Sequence, residues 1–163
     1  MITKIKDLIT ARVGEHTIVR IEDEHLQPAL VVLADHLVEI ASLLRDTEGC
    51  YFDFLSNISA VDYYPEQRFA VVYHLASIPN QTQLTLKVEI ENDRQPDNLP
   101  EVPSVSTIWR TADWHEREAF DLMGIFFTGH PDLRRILLPD DWQGYPLRKD
   151  YEDAETYHGI TIK

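Results

Sequence analysis

An α+β fold is what three features of this sequence predict: a mostly antiparallel sheet with helices packed on one face, then an extended irregular C-terminal tail. First, the apolar spacing runs helix, strands, helix, meander, helix along the chain. Second, the strand-like segments between residues 51 and 91 are joined by turns too short for crossovers, as in an antiparallel meander. Third, from Gly129 onward no long periodic stretch survives. Grouped rather than alternating strands and helices separate the two kinds of element into layers. At 163 residues, 44% hydrophobic and 26% charged, the chain is long enough for one core and ordinary enough in composition to fold.

Residues 2–13 carry Ile2, Ile5, Leu8 and Ile9 at helical spacing, and Gly14 ends the run. His16 to Ile21 reads as a strand, and Pro28 precedes a second one, Ala29 to Leu33. Asp35 is placed to cap a helix over 36–47, with Leu37, Ile40, Ala41 and Leu44 on one face and Gly49 beyond its end. The segment from Tyr51 to Tyr64 is rich in aromatic and branched residues. A turn at Pro65 leads to the strand Arg68 to Ser77, and a turn at 78–81 leads to the strand Thr82 to Glu91. The latter alternates, with Leu84, Leu86, Val88 and Ile90 on one face and Thr85, Lys87 and Glu89 on the other. Asn92 to Pro103 contains three prolines and reads as a loop. Thr111 is placed to cap a helix over 112–123, ended by Gly124. Boundaries of 1–128 for the α+β domain and 129–163 for the tail follow.

Fifteen basic against 28 acidic residues give a net charge of −13. Such a surface repels phosphate backbones and anionic lipid, so nucleic acid and a charged membrane surface are unfavourable partners. The single cysteine, Cys50, permits neither an internal disulfide nor a self-contained iron–sulfur cluster, which takes about four thiolates. The N-terminus has no apolar segment typical of a signal peptide. The longest aliphatic run, Ala29 to Ala34, is far short of the roughly twenty residues of a membrane span, so a soluble protein is expected.

The helix over 112–123 carries the densest chemistry. Asp113, Arg117 and Asp121 share a stripe at i, i+4 spacing, which reads as an exposed charge ladder. Glu116 instead falls among Ala112, Ala119, Phe120 and Met123 on the apolar face. A carboxylate there should be paired, protonated or reactive, and Arg134 and Arg135 are the expected partners. If removal left such a buried arginine unpaired, Glu116→Ala would cost about 3–5 kcal/mol.

Several reactive patterns fail. His115-Glu116 lacks the second histidine of H-E-x-x-H, and the one Glu-x-x-His, at Glu155 and His158, has no second copy. The glycine spacing of Gly124 and Gly129 is followed by His130 and Pro131 rather than Lys-Ser/Thr, and no G-x-G-x-x-G or nucleophile elbow occurs. His16, His25, His36 and His74 are scattered and read as surface or packing residues. The catalytic, cofactor-binding and metal-ligating sets are therefore empty, with one remote alternative: a stand-alone metal-dependent hydrolase using Glu116, Glu118 and His130.

The tail is too apolar to be simply solvated, with Leu133, Ile136, Leu137, Leu138, Trp142, Tyr145, Leu147, Tyr151 and Tyr157. Four of the fifteen basic residues, Arg134, Arg135, Arg148 and Lys149, are interleaved with them. Arginine and aromatic enrichment is typical of protein–protein contact, although packing on the chain's own domain would also use these residues.

Three blocks carry a resemblance: WHEREAFDLMGI at 114–125, GHPDLRRILLP at 129–139 and DWQGYPLRKD at 141–150. In this order they closely resemble the 30 kDa subunit family of respiratory complex I (NDH-1), with relatives in membrane-bound hydrogenases. FDFLS at 52–56 and AVD at 60–62 extend the resemblance over most of the chain. It implies the unfused bacterial form of a non-catalytic subunit in the hydrophilic arm of a proton-translocating NADH:quinone oxidoreductase. The subunit would be peripheral, on the cytoplasmic side of the inner membrane. It would bind no cofactor itself, while the whole complex uses NADH, FMN, iron–sulfur clusters and quinone. Its partners would be the large subunit of the quinone site and the iron–sulfur subunits.

On this resemblance the tail would dock on the large subunit through His130, Pro131, Asp132, Leu133, Trp142, Tyr145, Pro146, Leu147, Arg148, Lys149 and Tyr151. Glu116, Arg117, Glu118, Asp121, Arg134 and Arg135 would form a charge network fixing the tail to the helix. The tail would order only on assembly. An equivalent scaffold in a membrane-bound hydrogenase or a ferredoxin-linked complex is the alternative.

Overall fold

The computed structural model describes residues 1–23 and 27–162. His25, read above as a surface or packing residue, lies outside them. The first helix, α1 (Ile2–Arg12), buries Ile5 and Ile9. A 3-10 turn at Glu15–Thr17 precedes strands β1 (Ile18–Glu22) and β2 (Ala29–Val32). The expected strand at His16 starts two residues late because Thr17 folds back, its hydroxyl donating to the Gly14 carbonyl at 2.8 Å. A second 3-10 turn, Ala34–His36, leads into α2 (Leu37–Asp46), which buries Leu37, Ile40, Ala41 and Leu44. Asp35 sits inside that turn and does not cap α2.

Strands β3 (Phe54–Asp62), β4 (Arg68–Ser77) and β5 (Thr82–Glu91) form the antiparallel meander. The five-stranded sheet runs β1-β2-β5-β4-β3, antiparallel except where β2 lies parallel to β5. Register fixes the faces. Val71, Tyr73 and Leu75 stand opposite Val88, Leu86 and Leu84, and Leu30 and Val32 stand opposite Leu86 and Val88. These side chains join the apolar faces of α1, α2 and the later helix α3 (Ala112–Met123) in one cluster. Burying each Leu or Ile of that cluster contributes about 1.5–3 kcal/mol.

The opposite face is roofed by long charged side chains. Arg20 pairs with Glu89 at 2.6 Å, Lys87 with Glu22 at 3.2 Å, and Arg68 with Glu89 at 3.3 Å. Arg68 and Lys87 also stack on the Tyr63 ring at 4.4 and 5.4 Å. The stems of such residues can cover apolar surface while their heads stay wet.

The segment expected to be a loop contains a short strand, β6 (Glu101–Pro103), parallel to β7 (Phe126–Thr128). Three-residue strands carry no readable period, so only their long-range pairing reveals them. Thr111 stands at the start of α3 without capping it, because its hydroxyl donates to the Leu55 carbonyl of β3 at 2.9 Å. Gly124 ends α3 in the left-handed conformation, φ 66°. Beyond residue 128 the chain is irregular apart from the small hairpin of β8 (Thr156–Tyr157) and β9 (Ile160–Thr161). Among the described residues no helix is long and apolar enough to cross a membrane.

Candidate functional site at helix α3 and the C-terminal segment

The tail crosses α3, and three buried carboxylates organise the contact. Asp121 lies on the α3 stripe that also carries Arg117, and the tail covers it completely. One carboxylate oxygen accepts three successive backbone N–H groups, from Ile136 at 3.0 Å, Leu137 at 2.7 Å and Leu138 at 3.0 Å. The other oxygen accepts from Arg135 Nη1 at 2.9 Å. Burial alone would raise this carboxyl group, but the backbone donors and Arg135 outweigh it and hold it below the usual carboxylate range. Arg135 also donates to the carbonyls of Trp142 and Gly144, so one residue gathers two parts of the tail.

Glu116, five residues earlier, is equally inaccessible but held differently. It accepts from Ser104 Oγ at 2.6 Å and from Val105 N–H at 2.8 Å. His130 Nε2 stands 3.9 Å away, and its ring is fully buried. The His130 Nδ1 accepts from Asp132 N–H at 3.0 Å, which leaves the ring proton on Nε2, facing the Asp113 carbonyl at 3.2 Å. Among the described residues no arginine reaches Glu116. Burial pushes the Glu116 carboxyl group up to about 7, against Ser104 and Val105, with the Asp113 charge adding to the rise. Tyr73, whose sealed hydroxyl has no hydrogen-bond partner among the described residues, is raised by its own burial and then by Glu116.

These contacts correct the expected pairing. Arg134 is exposed and bonds Asp132 at 3.0 Å, while Arg135 belongs to Asp121. The cost of 3–5 kcal/mol foreseen for Glu116→Ala rested on a buried arginine that stands beside Asp121 instead. The stripe read as an exposed ladder is largely interior, with Arg117 and Asp121 both buried. Glu118 is exposed and bonds none of the others among the described residues. Of the three groups in the hydrolase alternative, Glu118 is at the surface, whereas Glu116 and His130 are buried side by side.

The third carboxylate, Asp62 at the end of β3, is marked in the sequence only by the AVD block. It accepts from Arg94, from Tyr64 N–H at 2.8 Å and from Lys149 N–H at 2.9 Å. Burial would raise it, but Arg94 and the two N–H groups prevail and lower it. Arg94 reaches onward to Asp150 at 3.2 Å and stacks on Phe69 at 4.5 Å. Arg148, 5.1 Å from the same Phe69 ring, donates to the Met123 and Gly124 carbonyls at 2.8 and 3.2 Å, closing the C-terminal end of α3. Burial lowers its pKa from the ordinary arginine value.

The tail residues assigned to partner binding therefore divide. His130, Leu133, Tyr145 and Arg148 turn toward the chain's own domain. Trp142, Pro146 and Tyr151 are half-buried, and Pro131, Asp132, Leu147 and Lys149 are exposed. Ser104, Val105, Tyr73 and Arg94 escaped sequence reading because they act across long separations. Among the described residues, no group of three or more His, Cys, Asp or Glu is arranged to hold a metal ion.

A family model for the 30 Kd subunit of respiratory-chain NADH dehydrogenase matches residues 30–157, from β2 through the rest of the sheet but not β1, and on through α3 and most of the tail. The chain belongs to that family. An NADH-quinone oxidoreductase subunit of Moorella thermoacetica is 51% identical over 76% of this chain and 79% of its own length. The corresponding subunit of Chlorobium phaeobacteroides is 39% identical over 96% of this chain and 92% of its own length. That of Chloroherpeton thalassium is 50% identical over 76% of this chain, which spans about half (49%) of that longer relative. Among solved structures, a chain of the membrane-bound sulfane sulfur reductase, an archaeal respiratory membrane complex, superposes with a TM-score of 0.73. The match covers 92% of this chain and 84% of that one at 24% identity, a likeness of fold. The matched residues of this chain include α3 and the tail residues that Asp121 and Asp62 hold.

Proposed function

We propose that this chain is the 30 kDa-type subunit of a proton-translocating NADH:quinone oxidoreductase, a non-catalytic scaffold holding the large quinone-site subunit in place. The observation that carries the reading is the family match through residue 157, which takes in the tail as well as the folded domain. Relatives at 39–51% identity that are named as NADH-quinone oxidoreductase subunits support it. The geometry suits a mechanical role. Asp121, Asp62 and Arg148 fasten the tail to the domain and leave Leu137 and Leu147 exposed, at 62% and 59%. Protruding apolar groups on a segment already held by hydrogen bonds are suited to docking, because less conformational entropy is lost on binding than from a free chain. In this reading the chain binds no cofactor, works at the cytoplasmic face of the inner membrane and contacts the large and iron–sulfur subunits.

The test is affinity purification of a tagged copy from native membranes in mild detergent. Flavin and iron–sulfur subunits with NADH–quinone activity should accompany it. Recovery of the chain alone would overturn the reading. A same-fold chain in a sulfane sulfur reductase complex supports a second reading, a scaffold serving a different donor or acceptor. Co-purifying hydrogenase or ferredoxin-linked subunits would favour it.

A further inference from the structure

Arg117 is the least satisfied buried cation in the clamp. The residue is 6% exposed, so its head is largely removed from water. Among the described residues its guanidinium makes one hydrogen bond, a long one of 3.4 Å from Nε to the Arg134 carbonyl. The nearest carboxylate, Asp132, lies 4.0 Å from Nη1 and is engaged by Arg134 at 3.0 Å. Among the described residues the terminal nitrogens of Arg117 make no hydrogen bond, yet neither is sealed from solvent. A largely buried guanidinium with two donors that no protein acceptor fills has room for an anion at those donors, and its planar fork matches a carboxylate.

The surroundings have the composition of a binding anchor. Trp114 stacks on Arg117 at 4.8 Å and is 61% exposed, large for an indole with no covering element. Arg134 is exposed beside it, and exposed Leu137 follows where the tail runs along the same helical stripe. Tryptophan and arginine at a desolvated centre are what protein interfaces concentrate. The chain's net charge of −13 disfavours an anionic lipid surface or a nucleic acid as the occupant.

We propose that Arg117, framed by Trp114 and Arg134, receives a carboxylate side chain from a neighbouring protein subunit. This rests on the subunit reading above and adds the chemistry of one contact. The carboxylate takes both terminal nitrogens of Arg117, and its backbone lies against the Trp114 ring.

The test uses the assembled complex. Arg117→Lys places an amine at the site, and a water-soluble carbodiimide condenses an amine with a carboxylate in direct contact, forming an amide as the reagent takes up water. Mass spectrometry should find a cross-link from position 117 to an Asp or Glu of another subunit. Trp114→Lys, at a position 61% exposed, should give a link to the same segment, which protects the test if Arg117→Lys folds poorly. Arg117→Gln should reduce the partner retained after a salt wash by about tenfold or more, as expected for a lost charged hydrogen bond. Links only to Asp132, or none in an intact complex, would overturn the proposal while leaving the subunit reading standing. If the chain is recovered with no other subunits, both fall.

Discussion

Asp121 and Glu116 stand five residues apart on one helix, both fully buried, yet their surroundings push them in opposite directions. Asp121 faces three aligned backbone N–H groups and an arginine, and stays ionised. Glu116 faces one hydroxyl, one N–H and an imidazole ring, and approaches neutrality at pH 7. Burial is common to both. The number and charge of the donors decide which form of the carboxyl group survives it. The Asp121 site is a clamp whose strength depends on charge, whereas the Glu116 site packs a near-neutral polar group.

The difference can be broken most severely at Asp121. Asp121→Ala should destabilise the chain by about 3–5 kcal/mol in denaturant titration, because it leaves Arg135 without its carboxylate and three backbone N–H groups without an acceptor. A loss near 1 kcal/mol would mean the tail is held elsewhere. The pH dependence should separate the two carboxylates next. The folded-state pKa of Glu116 is raised from 4.5 to about 7. Its contribution is complete below about pH 4.5 and is lost as pH rises through about 7, by about 3 kcal/mol in all. Asp121 has the opposite sign, because its depressed pKa adds stability above the ordinary aspartate range that is lost on acidification. Glu116→Gln should remove the fall between pH 4.5 and 7 and leave the acid limb intact, read from denaturation midpoints across pH.

A smaller effect tests the far end of the helix. Gly124→Ala should cost about 2 kcal/mol, since φ is 66° and a Cβ would stand 2.6 Å from the Tyr145 ring. The same variant should increase hydrogen exchange at residues 145–148 and spare 136–138, if Asp121 grips independently. Smallest of all, Arg134→Ala should change stability by under about 0.5 kcal/mol, because its pair with Asp132 is at the surface. A large loss there would restore the pairing with Glu116 that the geometry denies.

The sheet, the three helices and the polarity of each face were legible in the sequence, because apolar period and helix-ending glycines are local signals. The alternation in β5, with Leu84, Leu86 and Val88 inward and Lys87 and Glu89 outward, was read directly from spacing. The caps expected of Asp35 and Thr111 did not form. Capping depends on which acceptor is nearest, and for Thr111 that acceptor came from β3. The β6–β7 pair escaped for a related reason: each strand is too short to show a period, and the pairing spans the whole of α3.

By itself, the sequence determined that Glu116 would be a buried carboxylate in need of an explanation, and that the tail must lie against something apolar. Only the tertiary structure decided which cation meets which carboxylate. Arg134 and Arg135 are adjacent in sequence and equal in charge, but the direction in which the tail crosses α3 sends one to the surface and the other to Asp121. That direction is fixed by backbone N–H groups converging on a single carboxylate oxygen, and no side-chain pattern records where a backbone will run.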